Sequence, residues 1–334
     1  MKNFELNLQL FADAGTVVIK TTDLSPTMKE FYDTELLENA RAEMYYAQFA
    51  KTQPLPAGNG KTVEWRKWNT FEKASQLEEG VIPSGQTFGM TSITDSINQY
   101  GTYATVSDVL EMTAYDDVIL GATEEMGASA AESQESLIRN ALLINTNAMY
   151  CDNSNGEAPT KCSEMDETCI LTPKMVAKAA TALKKGRAPK INGKYYAVIH
   201  PSVAFDLRNS TEWIEAHKYA ATTELFNGEI GELHGVRFIE STFAPVLKGT
   251  EYKNSKNGAT YATFFFGKDA FGIIDPAGGA LEMIVKDKSE IGGPLNQYST
   301  IGYKFMTNGA KILYTERLLR VMSCSSYSAI DEAN

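Results

Sequence analysis

Histidine, cysteine and tryptophan are scarce in this sequence, at 3, 4 and 3 residues among 334. Each shortage narrows the chemistry open to the chain. A serine or cysteine nucleophile needs a base within reach, and His200, His217 and His234 are the whole supply of imidazole. No nucleophile elbow G-x-S-x-G is present: at Pro83-Ser84-Gly85, Ile82 occupies the place of the first glycine. H-E-x-x-H and a strand-borne G-x-G-x-x-G are also missing. The cysteines form no C-x-x-C pair. Cys151, Cys162 and Cys169 share a polar loop without an interleaved histidine, and Cys324 lies near the end, so free thiols are expected rather than zinc ligands or a disulfide framework. On these grounds no catalytic residue, cofactor or metal is assigned, and the chain does not read as an enzyme.

Long apolar runs are missing too. No stretch of about 18 apolar residues is available to span a bilayer. The opening residues lack a signal peptide's core, because Glu5, Asn7 and Gln9 interrupt Leu6, Leu8 and Leu10, so synthesis in the cytoplasm is expected. Positive charge is in deficit. With 31 basic against 42 acidic residues, a net charge of -11, a face that clamps nucleic acid through its phosphates is not expected. The densest basic cluster, Lys184, Lys185, Arg187, Lys190 and Lys194, falls at a predicted helix C-terminus, where cations complement the dipole without a ligand. Gly60-Lys61-Thr62 mimics the end of a phosphate loop, but Leu55 stands where its first glycine belongs and a strand-like run follows instead of a helix.

What is present is enough to fold: 43% hydrophobic and 22% charged residues, in a chain long enough for two or three subdomains. The longest helical pattern runs over residues 116–150. Ile119, Ala122, Met126, Ala130, Ser133, Leu137, Ala141, Ile144 and Ala148 step along one face, which predicts a spine helix about 50 Å long. Ahead of it, Phe4, Leu6, Leu8 and Leu10 alternate with polar residues, but no partner strand follows at hairpin distance. Such an arm needs a surface that is not its own. Ser25-Pro26 opens a predicted helix carrying Leu37, Ala40, Met44 and Ala47 and ending before Pro54, packed either on its own domain or on a neighbour.

Residues 61–106 read as one oversized hairpin, with strands over 62–71 and 91–103 and a tip at 72–90. A two-stranded ribbon is marginal alone in water and leaves two edges open. Either a second copy of the protein covers it or it folds onto its own sheet. Beyond the spine, the loop at Asp152 to Glu157 lacks the register of a calcium loop. Thr172-Pro173 opens a helix with Val176, Ala179, Ala180 and Leu183 inside and Gly186 past its end. Strands are predicted over 195–199, 236–239, 262–266, 271–274 and 281–285, with helical pieces around Phe205, Leu207, Trp213 and Ile214. Last strands, over 299–305 and 318–322, are expected to form a sheet beside the spine. The class is α+β.

That order of parts resembles the major capsid protein of tailed bacteriophages, whose fold is shared with herpesvirus capsid floors and bacterial encapsulins. Specific strings are similar to the capsid family typified by N4-like podophages: Asn7-Leu8-Gln9-Leu10-Phe11-Ala12, Leu77-Glu78-Glu79-Gly80 with Pro83, Tyr195-Tyr196-Ala197-Val198-Ile199-His200-Pro201, Gly228-Glu229-Ile230-Gly231 with Gly235-Val236-Arg237-Phe238, and Ile301-Gly302-Tyr303-Lys304. The resemblance implies an N-terminal arm at 1–24, an N-terminal helix and linker at 25–56, and an E-loop at 57–106 that overlaps an adjacent subunit. It further implies a peripheral domain with the spine at 107–168, an axial domain at 169–292, and return strands of the peripheral domain at 293–334. Contact residues implied for the E-loop are Trp65, Trp68, Phe71, Leu77, Glu79, Val81, Pro83, Ile93 and Ile97, and for the arm Phe4, Leu6, Leu8, Leu10 and Phe11. The implied function is an icosahedral virion shell of identical subunits, in pentamers and hexamers, enclosing double-stranded DNA without reading its sequence. Portal, separate scaffolding and decoration proteins are the implied partners, with no membrane. An encapsulin-like compartment holding enzyme cargo is the alternative.

Overall fold

The computed structural model describes residues 44–68, 71, 73, 74, 76, 85–114, 118–219, 229–249, 252, 254–256, 258–279, 281–291 and 295–334. The arm residues Phe4, Leu6, Leu8, Leu10 and Phe11, the helix expected from Ser25 as far as Ala40, and the hairpin residues Leu77, Glu79, Val81 and Pro83 lie outside the described residues.

A 3₁₀ turn, Tyr46–Phe49, leads into strand β1, Lys51–Leu55, where periodicity predicts the end of a helix. The correction has a tertiary cause: β1 lies parallel to a strand over 200 residues later, Lys51 opposite Gly272. Pro54 is tolerated because β1 is an edge strand. Next come β2, Thr62–Trp68, and β3, Met90–Ser96, paired antiparallel from Thr62 opposite Ser96 to Trp68 opposite Met90. The returning hairpin strand is not continuous. It breaks at buried Ile97, and β4, Asn98–Ser107, enters another sheet. Helix α1, Asp108–Thr113, follows, capped by the Ser107 hydroxyl, which accepts the Leu110 N–H at 3.2 Å.

The spine is α2, Val118–Leu143, 26 residues long and shorter than predicted. Its expected last turns are instead β5, Ala148–Tyr150. Asn145 and Asn147 explain the stop. Their side-chain amides donate to the carbonyl of Leu318 at 2.8 and 3.0 Å, and Ala148 to Tyr150 then pair with residues 320–322. Helix α3, Pro173–Lys185, β6, Tyr195–Ile199, α4, Pro201–Arg208, and α5, Thr211–Tyr219, come next. The Glu229 stretch, ahead of the strand predicted over 236–239, is itself β7, Glu229–Leu233. His234 and Gly235, both at positive φ (51° and 77°), turn it back tightly into β8, Val236–Glu240. The remaining strands are β9, Val246–Leu247, β10, Thr260–Phe266, β11, Phe271–Pro276, β12, Glu282–Lys286, β13, Tyr298–Thr307, β14, Lys311–Ile312, and β15, Leu318–Ser323.

Among the described residues these strands form four sheets. The largest has seven strands in the order β5-β15-β10-β6-β8-β7, with β9 on β10; the others are β12-β13-β4, β1-β11-β14 and the ribbon β2-β3. Sheet membership departs from sequence order. β12, inside the segment 169–292, pairs with β13 instead of the large sheet, and β15 joins the large sheet instead of sharing a sheet with β13.

The large sheet is buried on both faces, which is why β6 and β10 are continuous apolar runs. Tyr195, Ala197, Ile199, Tyr261 and Phe265 face a core with α3 and α4; Tyr196, Val198, Phe264 and Phe266 face Ile138 and Leu142 of α2. The opposite side of α2, with Ile119, Ala122, Met126, Ala130 and Leu137, packs on Ile301, Tyr303 and Phe305 of the β12-β13-β4 sheet. The spine is thus held between two sheets, and its predicted stripe is only one of its two buried sides. Ile144, predicted on that stripe, is 78% exposed.

Candidate assembly surfaces

The ribbon β2-β3 divides at Lys67 into a base and an outer end. At the base Val63, Trp65 and Ile97 pack with Leu55, Ile274 and Leu313, half-covering Ile93. Trp65 lies so close to Gly272 that a Cβ there would stand 3.0 Å from the indole, so no larger residue fits without displacing it. Polar ties hold the same base. Asn308 accepts the Ile274 N–H at 3.0 Å and donates to Asp95 at 2.9 Å; Lys67 meets Glu316 at 3.2 Å and lies 4.5 Å above the Tyr314 ring.

Beyond the base the side chains are uncovered. Trp68, Phe71 and Phe88 are 57%, 60% and 54% exposed, yet they stack on one another, with ring centroids 4.5 Å (Trp68–Phe88) and 5.1 Å (Phe71–Phe88) apart. Met90, paired with Trp68, extends the patch. Of the nominated contact residues, then, Trp65 and Ile97 belong to the chain's own core and Ile93 to its margin, while Trp68 and Phe71 stand free. The strand period carries a signal for this: Val63 and Trp65 share one face of β2, and Trp68 points to the other with Glu64 and Arg66. Phe88 and Met90 were missed because both fall in a stretch read as tip.

A second uncovered apolar patch was not read from the sequence. Val109, Leu110 and Met112 of α1 are 65%, 47% and 82% exposed. The Asp108 N–H bonded to the Gln297 carbonyl (2.9 Å) and the Glu111–Lys288 ion pair (2.8 Å) set α1 beside the β12–β13 connection, where Leu295 and Tyr298 are also exposed. Three apolar residues in a six-residue helix with no buried position are its signal.

On the large-sheet unit, Phe205 and Tyr327 touch at 5.2 Å with both rings accessible. Asp331 fastens the final stretch here, accepting from Ser202 at 2.6 Å and Tyr261 at 2.7 Å. Burial would raise its carboxyl, but these hydroxyls hold it below its ordinary range. His200 caps α4, its Nδ1 accepting the Ser202 N–H at 3.2 Å, and burial keeps it below its usual pKa. All four cysteines are buried and free, and burial pushes Cys169 and Cys324 up to about 11, so neither is a thiolate. Among the described residues no cluster of His, Cys, Asp and Glu is placed to hold a metal ion, and no helix is long and apolar enough to cross a membrane.

A family model described as phage capsid protein matches residues 92–304, more than half of the sequence. The chain belongs to the phage capsid protein family. With that membership it takes the part of a major capsid protein, a structural subunit of a phage shell. The structure of this capsid protein is similar to the capsid of the cyanophage P-SCSP1u, with a TM-score of 0.60 and 15% identity over 85% of this chain and 89% of that one. It is similar to the capsid of the Helicobacter pylori bacteriophage KHP30, at TM-score 0.63 and 10% identity, covering 84% and 91%. A virus-like particle from Pyrococcus furiosus matches at TM-score 0.50 and 12% identity, covering 88% and 99%. At such identities the likeness concerns the fold. No curated protein matches the sequence.

Proposed function

We propose that the ribbon β2-β3 is the E-loop through which this capsid protein overlaps an adjacent copy, and that copies so joined close into an icosahedral shell of pentamers and hexamers around double-stranded DNA. The observation that carries the reading is the contrast within one ribbon. Trp65 is 6% exposed and fixed in the core, whereas Trp68, Phe71 and Phe88, beyond it on the ribbon, are presented to solvent. Burying each such ring against a neighbour is worth about 1.5–3 kcal/mol, and the gain repeats at every contact of a shell. The arm residues Phe4, Leu6, Leu8, Leu10 and Phe11 act in the same way on this reading. The unit built on the seven-stranded sheet takes the axial position, and α2 with β12-β13-β4 the peripheral one. A net charge of -11 suits an inner wall that contains DNA without gripping it. Assembly in the host cytoplasm, a separate scaffold, a portal and decoration proteins complete the picture.

An encapsulin-like compartment holding enzyme cargo is the second reading, since one particle of similar fold comes from Pyrococcus furiosus and not from a phage. Electron microscopy of the purified protein tests the first statement: closed shells are expected, and a compact monomer at high concentration overturns it. The contents of particles from infected cells separate the two readings, DNA for one and cargo enzyme for the other.

A further inference from the structure

Glu135 lies in the C-terminal half of α2 with no exposed surface. Both of its carboxylate oxygens accept the backbone N–H of Tyr46 at 3.2 Å, and the N–H groups of Tyr45 and Ala47 reach the same carboxylate. A side chain 89 residues away in sequence thus caps the 3₁₀ turn Tyr46–Phe49, through which residues 1–43 enter the described fold. The turn has its own anchor, the Tyr46 ring, buried and edge-on to Phe264 at 6.0 Å. The charge on Glu135 is poorly answered. Arg139, one turn further along α2, directs Nη1 to the Phe243 carbonyl and Nε to Asn140, both at 3.4 Å.

We propose that Glu135 is a proton-operated latch on the turn at 45–49: seating the turn takes up one proton from solvent, and losing that proton as the pH rises loosens it. The latch works within a single chain, whether or not a shell surrounds it. Burial pushes the Glu135 carboxyl up to about 7, outweighing the pull of the backbone N–H groups and of Arg139. When the turn lifts, the carboxyl returns to water and to its ordinary value of 4.5. The seated state therefore holds the proton more tightly. Its advantage is complete below pH 4.5 and falls as pH rises to about 7, by ~300-fold in all for the difference of 2.5. Burial raises the Tyr46 phenol well above 10, Arg139 stays charged, and Phe264 and the Phe243 carbonyl carry no charge. Glu132 acts on Arg139, and β14, also against α2, brings Lys311.

Hydrogen exchange of the full chain, followed by mass spectrometry between pH 4.5 and 8 and corrected for intrinsic exchange, tests this. Protection at 45–47 should fall by up to the ~300-fold given by the shift in pKa. Glu135→Gln keeps an acceptor without a charge, so its protection should be flat over the same range. Equal pH dependence in the two chains, or protection that rises with pH, overturns the latch. If Glu135→Gln does not fold, carboxyl NMR of the unsubstituted chain labelled at glutamate decides: a buried resonance titrating near 7 supports the latch, and none above 5 refutes it.

Discussion

Trp65 and Trp68 are three residues apart on one strand, and substituting each by alanine should break different things. Trp65 is 6% exposed and touches Gly272 and Leu313, so its removal leaves a large hole under the ribbon base. Aromatic-to-alanine changes in cores cost about 3–5 kcal/mol. Among the described residues the indole N–H of Trp65 has no hydrogen-bond partner, so its removal returns roughly 1 kcal/mol of that. A net loss near 3 kcal/mol is a large part of a domain stability of about 5–15 kcal/mol. Among the described residues Trp68, at 57% exposure, loses the stacking on Phe88, worth about 0.5–1.5 kcal/mol. Denaturant unfolding of unassembled subunits should therefore show Trp65→Ala strongly destabilised and Trp68→Ala nearly unchanged. Light scattering and electron microscopy should show the reverse order for the folded variants, with Trp68→Ala raising the concentration needed for shells tenfold or more, for about 1.4 kcal/mol lost per contact. If Trp68→Ala unfolds the free subunit, or assembles at the same concentration as the unsubstituted chain, the division of the ribbon into anchor and contact is wrong.

Trp65→Phe should be far milder than Trp65→Ala in the same unfolding assay, because the orphaned N–H is removed while most of the ring is kept. Gly272→Ala should destabilise by about 1–3 kcal/mol, since the new methyl meets the Trp65 ring at 3.0 Å and Leu313 at 3.2 Å, and thermal unfolding measures it. Asn308→Ala cuts the tie between Asp95 and the Ile274 N–H, at a cost of about 1–3 kcal/mol for the buried donor left behind; protease nicking of the ribbon should quicken while the rest of the chain resists. The four buried thiols should resist iodoacetamide at pH 8 in the native chain and all react in denaturant, as mass spectrometry of the intact protein would show.

The elements legible in the sequence are those whose cause is local. Thr172-Pro173 marks the start of α3, and the continuous apolar runs of β6 and β10 mark strands covered on both faces. What was hidden depends on partners far along the chain. β1 is a strand because β11 lies beside it, the end of the spine becomes β5 because Leu318 takes the amides of Asn145 and Asn147, and the hairpin splits at Ile97 because β13 captures β4 over ten residue pairs. Of the proposed contact surface, only the exposed part is marked by residue type. Trp68 and Phe71 stand out by residue type, but only the alternation of faces, together with the pocket at Gly272, separates them from Trp65.

A ribbon that laid its aromatics on its own body would have to surrender those contacts before meeting a neighbour, and the exchange would leave little net gain. Keeping Trp68, Phe71 and Phe88 off the body avoids that cancellation, and stacking them on one another limits the apolar area shown to water before assembly. The same end needs a fixed direction, because mobile side chains pay ordering entropy on association. That is supplied by Trp65, Asp95 and Lys67, each tied to a residue between 272 and 316 in the body of the chain. On the proposed reading, anchor and contact are thus separated along a single strand, which would let association strength change at position 68 without altering the stability set at position 65.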